Sequence, residues 1–258
     1  MSRRQRRPAP RSARPGPVHA TSARVAPGTR IAAIDALRGG AILAMIGYHF
    51  AFDLTWFGVF RADFNNDAPW LTLRASIVSS FLLLVGVSLV LAQQAGISRK
   101  RFWRRIGLIA FCAILVTAGS YFAFPQTFIT FGILHCIAVS SVLAWPMVRY
   151  PLAALIAGLA IVEIGLQVQL PVFDTRWLNW AGMMTHKPPT EDYVPLFPWL
   201  GVVLVGVAAG GWLVRRNLRP LQSLSRSAPR WLTWLGRHSL LVYMVHQPVL
   251  LGMLRVLV

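Results

Sequence analysis

The amino-acid sequence predicts an all-α, polytopic membrane helix bundle, and three observations support this fold class. The 258-residue chain is 55% hydrophobic and only 13% charged, whereas soluble domains carry about 25% charged residues. Seven apolar segments are each near the length that a helix needs to cross a bilayer. The basic residues concentrate on one side of these segments, which is the positive-inside pattern. The net charge of +18 therefore reflects membrane topology, and we expect no nucleic-acid partner.

Residues 1–29 differ in composition from the rest of the chain. They are mainly Arg, Pro, Ser and Ala, with no acidic residue and no apolar run, so they cannot bury enough apolar surface to form a core. No hydrophobic region follows the paired arginines, which argues against a cleaved signal peptide. We expect a disordered, basic cytoplasmic tail that touches anionic lipid headgroups, followed by one membrane domain over residues 30–258.

The apolar segments give the order of the predicted membrane helices. The third to fifth are joined by very short loops, and around Pro146 and Pro151 the chain turns between the fourth and the fifth. The fifth is short and contains Glu163. The sixth contains Gly206 and Gly210, a small-xxx-small pair that lets a neighbouring backbone approach closely. The seven segments cover approximately residues 31–52, 71–93, 104–124, 128–147, 151–169, 196–214 and 238–257.

The distribution of lysine and arginine between the segments predicts the orientation of the chain. One side has the tail and a series of basic residues: Arg99, Lys100, Arg101, Arg104, Arg105, Arg149, Arg215, Arg216, Arg219, Arg226, Arg230 and Arg237. The other side has mixed charges: Arg61, Arg74, Arg176 and Lys187 with Asp63, Asp67, Asp174, Glu191 and Asp192. The alternation places the N-terminus in the cytoplasm and the C-terminus outside. An odd number of helices is then required, which agrees with about seven.

The longest external loop, about residues 170–195, has two interpretations. It carries Trp177, Trp180, His186 and two prolines. A loop of this length in a small bundle is often a lid or a binding loop. Alternatively, it is an interfacial segment that its tryptophans anchor at the membrane surface. The sequence leaves both interpretations open.

The first segment carries a stripe of polar side chains inside a membrane-length helix. At about 100° per residue, Asp35, Arg38, His49 and Asp53 fall within roughly a 60° arc of one helical face. Charged groups inside a membrane are costly and normally face the bundle interior, where they mark a site. The alternative is that Asp35 and Arg38 form a helix-end ion pair and that His49 is a hydrogen-bonded interfacial histidine. Four such residues on one stripe favour a site.

Two later segments also contain polar residues. His135 lies well inside the fourth segment. The seventh places Ser239, Tyr243, His246 and Gln247 within roughly 100° of one helical face. We predict that His135, Tyr243, His246 and Gln247 line a cavity. The histidines could instead serve only to hydrogen-bond between helices, as polar residues do in membrane bundles.

These side chains suit acid–base chemistry. Asp53 lies one helical turn after His49, so the two side chains can touch, and a histidine with an orienting carboxylate is a general base near neutral pH. The chain has no H-x-x-x-H, H-E-x-x-H or Gly-x-Ser-x-Gly pattern. We therefore expect no metal, and histidine as the base or as the acyl carrier. Cys112 and Cys136 lie in apolar runs and are predicted to be buried thiols.

The spacing between Arg38 and His49 favours a particular donor. The two residues are eleven positions apart, which is about 16 Å along a helix axis. An arginine near the cytoplasmic edge suits a phosphate. A donor with a charged head and a long thin arm, such as acyl-coenzyme A, could bind at Arg38 and present its reactive end to His49. A proton-coupled transporter would use similar intramembrane residues, so this class stays open.

Four motifs resemble a known family. Asp35-x-x-Arg38-Gly39, with His49 eleven residues after the arginine, is similar to the first helix of transmembrane acyltransferases. These include the acyltransferase-3 group and the heparan-alpha-glucosaminide N-acetyltransferase group, and the short bacterial DUF1624 proteins of the latter are the closer match. The resemblance covers about residues 30–258. Three further motifs resemble that family in order: FGILHCIAVSS (131–141), DYVPLFPWLGVVLVG (192–206) and LGRHSLLVYMVHQPV (235–249).

The resemblance implies an acyl-CoA-dependent O- or N-acetyltransferase of the bacterial inner membrane. It would move an acyl group, usually acetyl, from cytoplasmic acetyl-CoA to a sugar or glycan on the external side. His49 matches the essential histidine of the acyltransferase-3 motif, and Asp35 and Arg38 match its polar pair. We predict His49 and Asp53 as catalytic residues, and Asp35, Arg38 and Arg237 as residues of the coenzyme site.

One departure from the resemblance concerns the second histidine. The heparan enzyme carries its catalytic histidine in the loop after the first helix and an asparagine at the position of His49, whereas this chain has no histidine between Asp53 and Trp70. Two rival functions stay open, a proton-coupled small-molecule transporter and a non-catalytic membrane scaffold. The sequence also leaves a homo-oligomer open.

Overall fold

The computed structural model describes residues 31–190 and 192–257. Within these ranges every regular element is a helix, which confirms the all-α prediction. The predicted tail, residues 1–29, lies outside the described residues. The described chain has nine α-helices, which are α1 Ala32–Trp56, α2 Ala68–Gln94, α3 Arg99–Ala123, α4 Ile133–Ala144, α5 Pro151–Gln167, α6 Leu196–Arg215, α7 Arg219–Ser227, α8 Arg230–Arg237 and α9 Ser239–Leu257. Short 3₁₀ helices cover Trp145–Arg149, Pro171–Asp174 and Asn179–Ala181.

Four of the described helices, α2, α3, α6 and α9, are long and apolar enough to cross a membrane. α5 and the run formed by α4 with its 3₁₀ extension are apolar but shorter. α1 has 25 residues but carries Asp35, Arg38 and Asp53 along its length. The chain is therefore a multi-helix membrane protein, while the seven spans and the orientation of the termini stay predictions.

The fourth predicted segment begins later in the structure than the sequence pattern indicated. It was predicted from residue 128, but α4 starts at Ile133 because Gly132 is extended, with φ −98° and ψ −171°. The residues before it bond to α3 instead of forming a helical turn. The Ile129 N–H donates to Ser120 Oγ over 3.0 Å, and the Ile129 carbonyl accepts from Thr117 Oγ1 over 2.8 Å. Side chains of α3 thus replace the hydrogen bonds that a longer helix would have made.

The helices α7 and α8 were not predicted. They are nine and eight residues long, too short for a membrane span, and their arginines interrupt any apolar run. Their few buried residues lie on one side, with Leu221 buried in α7 and Thr233 and Gly236 buried in α8. Both helices contact α1, so they close one end of the bundle.

The bundle has two chemically different ends. At one, the start of α1 meets α7, α8 and the second half of α2, where Arg38 reaches Ser88. We call this the basic end, because the arginines of α7 and α8 lie there. At the other, the end of α1 meets Gln247 of α9, and Lys187 in the connection between α5 and α6 bonds to Asn65 in the loop after α1. We call this the loop end.

Small residues set the closest helix contacts. α6 packs against α2 and α5 at the centre of the fold. A Cβ on Gly206 would overlap the Leu83 carbonyl oxygen, and a Cβ on Gly210 would lie 3.0 Å from Val90 Cβ. The predicted packing role of this glycine pair is confirmed. Cys112 and Cys136 are free and buried, as predicted.

The contact between α1 and α8 depends on two glycines. A Cβ on Gly39 would overlap the Leu232 carbonyl oxygen, and a Cβ on Gly236 would overlap the Asp35 carbonyl oxygen. Backbone atoms cannot move aside as a flexible side chain can. The two helices therefore touch backbone to backbone, next to Asp35 and immediately before α9.

We expect Gly39→Ala to destabilise the protein and Gly40→Ala to leave it unchanged or slightly more stable. The overlap at Gly39 forces the helices apart, which costs about 1–3 kcal/mol. Gly40 is the next residue of the same helix, and a Cβ there would have nothing within 4 Å, so the gain in helix propensity, up to about 1 kcal/mol, is unopposed. Thermal unfolding in detergent, followed by circular dichroism, measures both. Equal shifts for the two variants would contradict the proposed contact.

Candidate active site

Two histidines from different helices meet near the loop end. His49 of α1 is half-buried and His246 of α9 is 9% exposed. Their ring centroids are 5.1 Å apart, with the ring planes tilted by 60°. The sequence offered each as a separate candidate, and the fold brings them to one point. Two imidazoles at this distance can act on the same bound group.

The hydrogen bond of His246 defines which ring nitrogen is available. Its Nδ1 lies 2.6 Å from the backbone carbonyl oxygen of Tyr243. A carbonyl can only accept, so Nδ1 carries the proton, and in the neutral ring Nε2 has the free lone pair. Nε2 is buried and has no hydrogen-bond partner among the described residues. His246 thus presents an unpaired base inside the bundle.

Asp53 and Gln247 join α1 and α9 beside this pair. Gln247 Nε2 donates to Asp53 Oδ1 over 2.8 Å, and Asp53 is 2% exposed. Because a carboxylate only accepts, the amide must turn its nitrogen toward Asp53 and its oxygen away. Gln247 Oε1 is buried and has no hydrogen-bond partner in the part of the chain that the structure describes. Adjacent residues of α9 therefore present two unpaired acceptors, which would suit a ligand that donates hydrogen bonds.

Aromatic side chains of α1, α2 and the loop between them border the pair. Tyr48 is buried, and its ring makes edge contacts with His49, Phe64 and Trp70 at centroid distances of 5.8, 5.3 and 6.3 Å. Arg74 of α2 hydrogen-bonds to Tyr48. Tyr48 and Arg74 were not among the predicted site residues. Arg74 had been counted only as an external charge, although it lies within the second apolar segment, where a cation is costly.

Asp192 joins three parts of the site. Its Oδ2 accepts from the backbone N–H of Ile133, at the start of α4, and from Tyr243 Oη of α9, each over 3.1 Å. A carboxylate is favoured at a helix N-terminus, where backbone N–H groups are unpaired. Asp192 was not predicted as a site residue, although it opens the motif over residues 192–206. Predicted only as a loop residue, it instead holds Tyr243, whose carbonyl orients His246.

Asp192 also gives a pH-dependent prediction. Burial raises the pKa of its carboxyl above the ordinary value of 3.8, although the Ile133 N–H, Tyr243, Arg74 and Lys187 lower it in part. The folded protein therefore holds this proton more tightly than the unfolded chain does. The resulting stabilisation is complete below about pH 4 and is lost as the pH rises through the folded pKa.

We expect the stability of the wild type relative to Asp192→Asn to fall from about pH 4 upwards and then level off. Asparagine keeps an oxygen that can accept from Ile133 or Tyr243, so the comparison isolates the titration. Unfolding temperatures of both proteins across about pH 4 to pH 8 give the difference. A difference that does not change with pH would show that Asp192 does not titrate in this range.

His135 is fully hydrogen-bonded in the structure. Its Nδ1 accepts from the Gly132 backbone N–H over 3.2 Å. Its Nε2 lies 3.4 Å from Thr117 Oγ1, whose own proton goes to the Ile129 carbonyl, so Nε2 donates to Thr117. Nδ1 thus caps the start of α4, and Nε2 ties α4 to α3. This arrangement supports the alternative that His135 bonds between helices, and its predicted role in lining a cavity remains untested.

The three residues predicted for the coenzyme site lie together at the basic end. Arg38 Nη1 lies 3.3 Å from Asp35 Oδ1, and Arg237 Nε lies 3.3 Å from Asp35 Oδ2. Arg38 Nη2 also donates to Ser88 Oγ over 3.0 Å. The arrangement includes the ion pair between Asp35 and Arg38 that was one alternative from the sequence. Two cations share one buried carboxylate, so the cluster keeps a net positive charge, and the side chain of Arg237 is 46% exposed.

The site residues therefore fall into two groups. His49, Asp53, Tyr243, His246 and Gln247 meet near the loop end, and Asp35, Arg38 and Arg237 meet at the basic end. α1 contributes to both groups. Among residues 31–190 and 192–257, no group of three or more His, Cys, Asp or Glu side chains is placed as metal ligands would be. The chemistry that the first group offers is proton transfer.

Comparison with known proteins identifies the family. The chain matches the family described as "Heparan-alpha-glucosaminide N-acetyltransferase, catalytic" over residues 30–248. No curated protein and no solved structure matches it. The matched range begins just before α1 and ends within α9, so it contains every residue of both groups. The family and the apolar helices together indicate a membrane acetyltransferase. This chain belongs to the heparan-alpha-glucosaminide N-acetyltransferase catalytic-domain family.

Proposed function

We propose that this protein transfers an acetyl group from cytoplasmic acetyl-CoA to a sugar or glycan on the external side of a bacterial inner membrane. The observation that carries the proposal is the histidine pair, His49 and His246, in which the buried Nε2 of His246 has no hydrogen-bond partner among the described residues. α1 links this pair to a positively charged cluster at the opposite end of the bundle. The acetyl donor would bind along α1, and the acceptor would enter from the loop end.

The basic end would hold the coenzyme phosphates. Arg237 is the more exposed of the two arginines on Asp35, with 46% of its side chain exposed against 22% for Arg38. Arg237 would therefore meet a phosphate first, and Asp35 would hold both guanidinium groups in place. An arginine binds phosphate through two parallel hydrogen bonds. The distance of about 16 Å from Arg38 to His49 along α1 suits the thin arm of the coenzyme.

The reaction at the histidine pair would be an acyl transfer. In the direct route, a histidine nitrogen takes a proton from the acceptor, whose heteroatom attacks the thioester carbonyl carbon. The carbon–sulfur bond breaks, and coenzyme A leaves as its thiol with the proton that the histidine held. In the two-step route, a ring nitrogen of His49 attacks the thioester carbonyl carbon, the carbon–sulfur bond breaks, and coenzyme A leaves as its thiol with the proton of the ring. The acceptor then attacks the acetyl group on His49, and its proton passes to the imidazole that is released. Asp53, held by Gln247, would position the end of α1 in either route.

The unpaired acceptors favour an amine as the acetyl-accepting group. His246 Nε2 and Gln247 Oε1 both require a donor. A neutral amine offers two N–H groups, whereas a hydroxyl offers one O–H. Leaving one buried acceptor unpaired costs about 1–3 kcal/mol, which is roughly a 5- to 150-fold preference in rate. We therefore favour N-acetylation over O-acetylation.

Acetyl-CoA binding to the purified protein in detergent, measured by calorimetry, tests the proposal. We expect saturable binding that Arg38→Ala weakens by about tenfold or more, because it removes a phosphate partner and leaves Asp35 with one cation. His49→Ala should keep the affinity, because it alters only the reactive end. The control for the loss of one charge is Arg61→Ala, because Arg61 is an exposed arginine in the loop after α1.

Three results would contradict the proposal in whole or in part. Absence of acetyl-CoA binding by the folded wild type would favour a proton-coupled transporter or a membrane scaffold. Equal weakening by Arg38→Ala and Arg61→Ala would show that the affinity reflects overall charge. Binding by both His49→Ala and the wild type, but no transfer by the wild type to amino sugars or hydroxyl acceptors, would keep the coenzyme site and reject the acceptor class.

A further inference from the structure

The basic end has a groove that the proposed reaction does not use. It has a volume of about 300 Å³ and lies between the ends of α2 and α6 and the start of α5. Its polar rim consists of Gln93 and Gln94 from α2, Arg149 from the 3₁₀ helix before α5, and Arg215 from α6. Its floor is apolar and includes Val90 and Val148. The groove therefore combines two cations with an apolar surface.

The arginines of the groove have no carboxylate partner in the described part of the chain. Neither Arg149 nor Arg215 forms an ion pair with an acidic residue in the described ranges, and no acidic side chain lines the groove. Asp35 is the acidic residue found at this end, and Arg38 and Arg237 already occupy it. Because no described acidic residue neutralises the positive potential of the groove, it would attract an anion from outside the chain.

The surroundings of the groove are those of a membrane surface. Tyr150 and Leu152, one and three residues after Arg149 in the chain, are 63% and 68% exposed. Trp212, on α6, is 46% exposed, and the guanidinium carbon of Arg216 lies 5.4 Å from its ring centroid. Tyr and Trp collect where the hydrocarbon of a bilayer meets the headgroups. A ligand at this site would have its charge beside the arginines and apolar chains beside Tyr150 and Leu152.

The groove is separate from the cluster on Asp35. Ser88, which accepts from Arg38, and Val90, which lines the groove, are two residues apart on α2. Two positions along a helix point about 160° apart, so α2 stands between the two basic sites. A coenzyme bound at Arg38 therefore need not extend into the groove. The exposed apolar border of the groove would make no contact with a soluble nucleotide.

We propose that this groove binds the phosphodiester headgroup of an anionic phospholipid. Arg149 and Arg215 would bind the phosphate, Gln93 and Gln94 would hydrogen-bond to headgroup hydroxyls or ester oxygens, and the acyl chains would lie along the exposed apolar side chains. Basic pockets between membrane helices on the cytoplasmic side are suited to such headgroups. The lipid would also join α2, α5 and α6 at an end where the described part of the chain supplies no ion pair between them.

Native mass spectrometry of the full chain with added lipid tests this proposal. Phosphatidylglycerol is the anionic probe and phosphatidylcholine the neutral one. The double variant Arg149→Gln/Arg215→Gln should lower phosphatidylglycerol binding by about 30-fold, roughly fivefold for each arginine. The double variant Arg226→Gln/Arg230→Gln removes the same charge from α7 and α8 and should keep the binding. Unfolding temperatures without lipid establish that both variants are folded.

The results separate a lipid site from other sources of phosphate. Loss of binding in the groove variant alone, for phosphatidylglycerol and not for phosphatidylcholine, supports the proposal. Equal losses in both double variants would overturn it, since net charge would then explain the binding. Displacement of the lipid by coenzyme A or by inorganic phosphate at millimolar concentration would show a free-phosphate site and would also overturn it. This readout does not depend on acetyl transfer.

Discussion

Replacing His246 with alanine is expected to reduce acetyl transfer by about 10²–10⁴-fold, the usual contribution of a general base. The backbone carbonyl of Tyr243 fixes the tautomer of this ring, so that Nε2 is the nitrogen that accepts the proton. Alanine removes that nitrogen while leaving Gln247 and Asp53 in place. The rate of acetyl transfer from acetyl-CoA to an amino-sugar acceptor measures the loss. It is monitored through the free thiol of coenzyme A that each transfer releases.

The chain supplies a matched control for this substitution. His238 also places Nδ1 near a helix carbonyl, 2.8 Å from that of Trp234, but it is exposed at the basic end. His238→Ala should leave the transfer rate nearly unchanged. If His238→Ala and His246→Ala lower the rate equally, the loss of the hydrogen bond from each ring to its helix carbonyl explains both effects. The assignment of His246 as the base would then be wrong. Retained acetyl-CoA binding by His246→Ala separates a chemical defect from a folding defect.

Replacing His49 with alanine should cause a loss of similar size, and the two substitutions should not add. Residues that act as a unit give double variants that are little worse than the single ones. With ring centroids 5.1 Å apart, both imidazoles would serve one bound acceptor. We therefore expect the double variant His49→Ala/His246→Ala to fall no more than about tenfold below the worse single variant. Steady-state transfer rates of the three proteins give the answer.

The control for His49 is its neighbour Phe50, which is 37% exposed on the outer side of α1. Phe50→Ala removes a ring of similar size and should keep most of the activity. If the rate of the double variant is reduced by the product of the two single reductions, the histidines act independently, in separate steps. Trapping of an acetyl group on wild-type protein, and its absence in His49→Ala, would distinguish the two-step route from direct transfer.

Much of the candidate site was predictable because its residues repeat at helical spacing. The stripe of Asp35, Arg38, His49 and Asp53 lies on α1, and Tyr243, His246 and Gln247 lie on α9. Local periodicity reveals such residues whatever the rest of the fold does. The family assignment follows the same motifs and is confirmed by the match over residues 30–248.

The residues that were missed depend on contacts between distant segments. Asp192 looked like one of several loop carboxylates, and only the fold shows that it accepts from α4 and from Tyr243. Tyr48 has an ordinary apolar neighbourhood in sequence, and its contact with Arg74 joins two helices. The start of α4 and the helices α7 and α8 were missed for a related reason. Hydrogen bonds to side chains of α3 determine where α4 starts. Packing against α1 supports the short helices α7 and α8.

The backbone contact between Gly39 and Gly236 fixes where α1 and α8 touch, and this contact is a shared reference for the positions of His49 and His246. His49 lies ten residues beyond Gly39, and His246 lies ten residues beyond Gly236. Each added residue in a helix turns the next side chain by about 100° and advances it by about 1.5 Å. Gly39 and His49 lie on one continuous helix, α1, so a single insertion between them would turn the ring of His49 away from that of His246. His246 lies on α9, and the break between α8 and α9 separates it from Gly236. The length of α1 from Gly39 to His49, and of α9 up to His246, is therefore set by the need for the rings to meet.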